Sequence, residues 1–209
     1  MKKLRFTAAA LALALLLSLA GCGDGDYPDR ALDGKAWDHD WAMLGSVLGV
    51  EDLTEQGFSL EANPVVLTGS DTFYAVWDCG EGQPYTNADG DDATIYDAVF
   101  YALLYGCGSS SDARAAIDEW LAREQEVYDI TGTDTLTVNG LGFTVLYYGV
   151  KSEDNPYHHG AVAFALYENY AFNAELTCAE GIFSGSETAA CLQELLSRCH
   201  FSADYSAAG

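Results

Sequence analysis

Positive charge is scarce in this 209-residue chain: nine Lys and Arg stand against 32 Asp and Glu, a formal charge of −23 at pH 7. So acidic a surface repels phosphate backbones and anionic headgroups, which excludes nucleic acid as a partner of the folded domain. Cations, basic proteins or simply water remain. Histidine is also rare, with four residues. No Gly-x-Ser-x-Gly, His-Glu-x-x-His, Cys-x-x-Cys, P-loop or dinucleotide fingerprint occurs, so the common nucleophilic, zinc and nucleotide chemistries lack their signatures. No catalytic residue is assigned, and no enzymatic activity is expected. With 49% hydrophobic and 12% aromatic residues the chain has ample material for a core, which argues against disorder.

A membrane-spanning run is missing as well. The apolar stretch Phe6 to Leu19 is shorter than the roughly 20 residues a spanning helix needs. Lys2, Lys3 and Arg5 precede it, as in the basic and apolar regions of a signal peptide. It ends in Leu19-Ala20-Gly21-Cys22, a small-residue pair followed at once by Cys. Those residues resemble the lipobox of bacterial lipoproteins. The resemblance implies a diacylglyceryl group on the Cys22 thiol, cleavage before Cys22, and a cell-membrane location facing outside the cytoplasm. Two acyl chains hold a protein on a bilayer because each buried CH₂ contributes about 0.8 kcal/mol. Residues 1–21 then form the signal, 22–35 a tether rich in Gly, Asp and Pro, and 36–209 a single globular domain. Loss of Lys2, Lys3 and Arg5 leaves six basic residues against 32 acids, a formal charge of −26 on the mature chain.

Lipid on Cys22 leaves Cys79, Cys107, Cys178, Cys191 and Cys199, an odd number that cannot all pair within the chain. Cys79 and Cys107, each just past an expected strand, are the first candidate disulfide. Cys191 and Cys199, eight residues apart on an expected helix, lie about 12 Å apart and beyond bridging range.

Along the chain, Trp41, Leu44, Val47 and Leu48 are spaced for a short helix capped by Asp38 or Asp40. Phe58–Leu60, Val65–Leu67 and Phe73–Trp77 read as strands, residues 80–92 as an exposed acidic loop, and Thr94–Tyr105 as a strand covered on both faces, with a buried helix as the alternative. Ser109, Ser110 and Ser111 precede a helix whose stripe is Ala113, Ala116, Ile117, Trp120, Leu121, Val127 and Tyr128. Thr135–Val138 and Phe143–Val150 flank Asn139-Gly140, a pair suited to φ > 0 at both turn positions. A second hairpin joins Ala161–Tyr167 to Tyr170–Cys178 across Glu168-Asn169, and Ser184 with Glu187 forms a capping box before a helix bearing Cys191, Leu192, Leu195, Leu196 and Cys199. Hairpins and two good helices predict an α+β fold, mainly antiparallel sheet with helices packed on both faces. The order of elements, closing on a cysteine-bearing strand and Glu194-Leu195-Leu196-Ser197-Arg198-Cys199-His200-Phe201, resembles the fold of PsbP and the Ran-binding nuclear import factor. That resemblance implies an α-β-α sandwich over Gly57 to Phe201 and carries no functional residue with it.

Four constellations can bear chemistry. Asn87, Asp89, Asp91 and Asp92 offer the oxygen ligands calcium needs, but a calcium-loop frame from Asn87 places Asp92 where Gly belongs and Ala98 where Glu belongs, so a solvated loop is the stronger reading. His158 and His159, beside Tyr157, point to opposite sides of an extended chain and so rarely share one metal ion. His39 between Asp38 and Asp40 reads as a helix start sooner than a cation site. The tyrosines Tyr74, Tyr85, Tyr96, Tyr101, Tyr105, Tyr147, Tyr148, Tyr157, Tyr167 and Tyr170, with Trp77, suit a sheet core or a recognition surface. The expected function is that of a membrane-anchored module binding an envelope protein, a glycan or a cation through an acidic, Tyr-bearing face. A hydrolase of unfamiliar type or a calcium-binding surface protein is the alternative.

Overall fold

A computed structural model of the chain describes residues 48–50, 53–60, 65–67, 72–86, 90, 92–152 and 155–201. The expected signal and tether, Cys22 and the Asp38-His39-Asp40 triplet lie outside them.

The strands are β1 (Leu48–Val50), β2 (Phe58–Leu60), β3 (Val65–Leu67), β4 (Thr72–Cys79), β5 (Gln83–Thr86), β6 (Asp92–Ile95), β7 (Ala98–Gly106), β8 (Asp129–Val138), β9 (Leu141–Gly149), β10 (Tyr157–Tyr167), β11 (Tyr170–Ala179) and β12 (Cys199–Phe201). The helices are α1 (Ser110–Val127) and α2 (Gly185–Ser197). One antiparallel sheet runs β2-β4-β7-β11-β10-β9-β8, with β3 also paired to β4. β1 with β12, and β5 with β6, form two separate ladders. The fold is therefore α+β on a mainly antiparallel sheet.

Local chemistry explains the connections. Asn139 and Gly140 adopt φ of 51° and 79°, so β8 and β9 close through the two-residue turn whose twist matches that of the strands. Ser109 caps α1 by accepting from the Asp112 N–H at 3.2 Å, and Ser184 with Glu187 completes the capping box of α2. β10 and β11 are buried at most positions, and their side chains divide by parity between two apolar clusters. Ala161, Ala163, Phe172, Ala174 and Leu176 pack with Leu192, Leu195 and Leu196 of α2. Val162, Phe164 and Ala171 pack with Ala113 and Ile117 of α1.

Several expectations are corrected. Leu48 is in a strand paired with Phe201, because β12 returns beside it; Trp41, Leu44 and Val47 lie outside the described residues. The described residues between 80 and 92 are exposed apart from the half-buried Tyr85, yet Gln83–Thr86 pairs with Asp92–Ile95 as a hairpin. The expected strand Thr94–Tyr105 is broken at Tyr96 and Asp97. There the Asp97 N–H bonds the Cys79 carbonyl and the Asp97 carbonyl accepts from Ala179, both at 2.9 Å, anchoring the bend where the hairpin leaves the sheet. α2 ends at Ser197, so Cys199 belongs to β12, opposite Val50. The structure does not join Cys79 to Cys107. Cys79 pairs with Ala98 at one end of β7 and Cys107 follows Gly106 at the other, about 30 Å away at the usual rise per residue. All five of these cysteines are free thiols.

Candidate functional site

β11 carries one feature that a central strand does not ordinarily hold. On one parity it presents Tyr170, Phe172, Ala174, Leu176 and Cys178 to the core; on the other it places Ala171, Asn173, Glu175 and Thr177. Glu175 is 5% exposed, and a carboxylate so far from water requires partners. Three tyrosines supply them. Tyr101 on β7 is its direct cross-strand neighbour and bonds its side chain. Tyr148 on β9 donates its phenol hydrogen to Glu175 Oε1. Tyr128, immediately after α1, donates to the same oxygen at 3.3 Å. The rings of Tyr128 and Tyr148 stack with centroids 3.9 Å apart and planes 8° from parallel.

Gly160 makes this arrangement possible. It lies between Tyr148 on β9 and Thr177 on β11, and a Cβ built there would run into the Tyr148 hydroxyl and the Leu176 carbonyl oxygen. The missing side chain is the gap through which the Tyr148 phenol reaches across β10 to the acid. Glu124, in the last turn of α1, adds a second carboxylate; its carbonyl accepts from the Tyr128 N–H at 2.9 Å.

Electrostatics follows from this crowding. Burial raises the Glu175 carboxyl, while the three phenol bonds pull it back down. Glu124 is pushed up to about 8, first by burial and then by the charge of Glu175, with Arg123 opposing. All three phenols are raised, by burial first and the Glu175 charge second, so they stay protonated as donors. Glu124 thus feels the charge of Glu175 in a partly dry setting and retains its proton at neutral pH.

Among the described residues the sheet beside the site is less covered. α1 packs against β8, β10 and β11, and the same face of β4 and β7 keeps Val76, Val99, Tyr101 and Leu103 half-exposed. An apolar strip therefore borders the Glu-Tyr cluster.

Of the residues singled out by sequence, Tyr101 and Tyr148 join this site. Tyr105 rests against Trp120 and Tyr167 against Phe201, in packing roles, and the Tyr157 hydroxyl accepts from the Tyr96 N–H at 3.4 Å. His158 and His159 stand in β10; the first is exposed and the second half-buried, its Nε2 enclosed without a hydrogen-bond partner. Asn87, Asp89 and Asp91 lie outside the described residues, and Asp92 is exposed in β6, accepting from Thr86 Oγ1 at 3.3 Å. Among the described residues no group of three His, Cys, Asp or Glu is placed to hold a metal ion. Glu124 and Glu175 escaped the sequence reading, though each left a trace. Glu175 repeats the polar parity of Asn173 inside an apolar strand, and Glu124 falls on the apolar stripe of its helix between Trp120 and Tyr128.

No protein-family model matches this chain, and no curated protein matches it. Among solved structures it is similar to the solution structure of cyanobacterial PsbP (CyanoP) from Synechocystis sp. PCC 6803, at 14% identity, over 75% of this chain and 94% of that one, with a TM-score of 0.36. A crystal structure from Bacteroides thetaiotaomicron VPI-5482 matches at 11% identity, over 62% of this chain and 45% of that one, with a TM-score of 0.26. Likeness at this level carries over no functional residue.

Proposed function

We propose that this chain is a lipoprotein held outside the cytoplasm through Cys22, and that it works as a non-enzymatic binding module. Its partner offers a cationic group to the Tyr- and Glu-lined face beside α1. The α-β-α layering expected of a PsbP-type domain is part of the proposal, supported by the division of β10 and β11 between one helix cluster on each parity. The observation that carries the binding reading is the buried Glu175 held by three phenols, its charge felt by Glu124, beside a half-exposed apolar strip. A guanidinium or ammonium there would be repaid by two carboxylates and by aromatic faces. The lipobox carries the location, and the formal charge of −26 on the mature chain adds long-range attraction for a basic partner.

The test is calorimetric titration of the chain from Gly23 onward with an arginine-rich peptide at pH 8.5, at two salt concentrations. Glu124→Gln should weaken binding by about tenfold, roughly 1.4 kcal/mol, while Glu119→Gln on the outer face of α1 reports the general surface contribution. Equal affinities for the two variants would overturn the proposal.

A further inference from the structure

The strand register gathers three of the five free cysteines at one end of the sheet. Cys79 on β4 and Cys178 on β11 are the two direct cross-strand partners of Ala98 on β7. All three side chains therefore share a face, the one that meets α2. Two strand spacings separate Cys79 from Cys178, about 10 Å at Cα, which is beyond the reach of a disulfide. The helix bridges that gap. The Thr188 side chain of α2 bonds the Cys178 thiol, and Cys191, three residues on, is the next position along the same helix face. Cys79 and Cys191 both pack against the cluster that contains Cys178, and the charges of the three sulfurs are felt by one another. The remaining two stand apart. Cys107 is at the far end of β7, bonded through its backbone to Asn169, and the Cys199 thiol donates to the Leu195 carbonyl at 3.6 Å.

We propose that Cys79, Cys178 and Cys191 form a thiol–disulfide site, in which Cys191 on α2 is joined to one of the two strand cysteines and the other remains as a thiol able to exchange into the bond. The oxidant is an external disulfide. A strand thiolate attacks it to give a mixed disulfide and one released thiolate; the Cys191 thiolate then displaces the second external sulfur. Two protein thiols are oxidised and one disulfide is reduced to two thiols. Cys79 reacts first because it is only half-buried, whereas Cys178 is fully enclosed. Burial holds Cys191 up to about 11 and Cys178 up to about 12, so the buried thiols are inert until the first exchange brings a disulfide to them. The product fastens α2 to the sheet and leaves three of the five cysteines as thiols.

The experiment treats the mature chain, folded, with oxidised glutathione, alkylates residual thiols in denaturant and maps peptides without reduction. The expected result is one intramolecular disulfide joining Cys191 to Cys79 or Cys178, with Cys107 and Cys199 alkylated. Cys107→Ala should keep that bond and Cys191→Ala should lose it. In a second measurement on the unmutated reduced protein, native-state alkylation should label Cys79 before Cys178 or Cys191. A bond that includes Cys107 or Cys199, five free thiols after oxidation, or labelling of Cys178 ahead of Cys79 would overturn the proposal.

Discussion

Glu124 sets a pH dependence of stability that can be worked out in advance. Its carboxyl titrates at 4.5 in an ordinary setting and at about 8 in the fold. Between those values the folded protein keeps a proton that the unfolded chain has released, so stability is greatest below pH 4.5 as far as this group is concerned and is lost as pH rises through 8. The full displacement corresponds to roughly 5 kcal/mol at about 1.4 kcal/mol per pH unit. Glu124 is only partly enclosed, so solvent screening reduces the usable share to about 2–3 kcal/mol. With a urea dependence of about 2 kcal/mol per M for a domain of this size, the unfolding midpoint should fall by roughly 1 M between pH 5.5 and pH 8.5. Ordinary carboxylates have finished titrating before that window opens. Glu124→Gln supplies the permanently neutral form and should lose most of the slope, ending more stable than the parent at pH 8.5. A parent midpoint that does not fall, or an equal slope in Glu124→Gln, would refute the idea that burial beside Glu175 holds this proton.

Three further outcomes follow from named contacts. Tyr148→Phe removes a buried donor from Glu175 and should cost about 1–3 kcal/mol, read from urea unfolding at pH 7. Gly160→Ala sets a methyl against the Leu176 carbonyl and the Tyr148 hydroxyl; since the backbone oxygen cannot yield, about 1–3 kcal/mol of destabilisation is expected, whereas Gly142→Ala, with open space around it, should change little. Cys22→Ser in the full-length chain should move the protein from the membrane fraction to the soluble fraction and abolish palmitate labelling; retention on the membrane would mean a different anchor.

Much of the architecture is legible in the residues because it rests on local chemistry. Asn139-Gly140 can supply positive φ twice in succession, Ser109 and Ser184 can cap, and the stripes beginning at Ala113 and Leu192 repeat at helical spacing. Those features act within a few residues of themselves, so the β8–β9 and β10–β11 hairpins and the starts of both helices emerge where the pattern puts them. Errors arise where distant segments meet. Leu48 looks helical by spacing, yet it is a strand because β12 lies beside it, and the run from Thr94 to Tyr105 is broken by bonds from Asp97 to Cys79 and Ala179, far from it in the chain. Cys79 and Cys107 look alike in sequence, each just past a strand, but the antiparallel pairing of β4 with β7 sends them to opposite ends.

The candidate site belongs to the same category. A glutamate in an apolar strand is visible in the sequence; its three phenol partners are not, because they come from β7, from β9 and from the residue after α1, and meet only through the order of strands in the sheet. By itself the sequence determined the acidity, the helix caps, the Asn139-Gly140 turn and the two helical stripes, all of which depend on composition or near neighbours. Tertiary structure alone decided that Glu175 is buried under Tyr101, Tyr128 and Tyr148, and that Cys79, Cys178 and Cys191 share one end of one face, because strand order and register are set by how the whole chain buries its apolar surface.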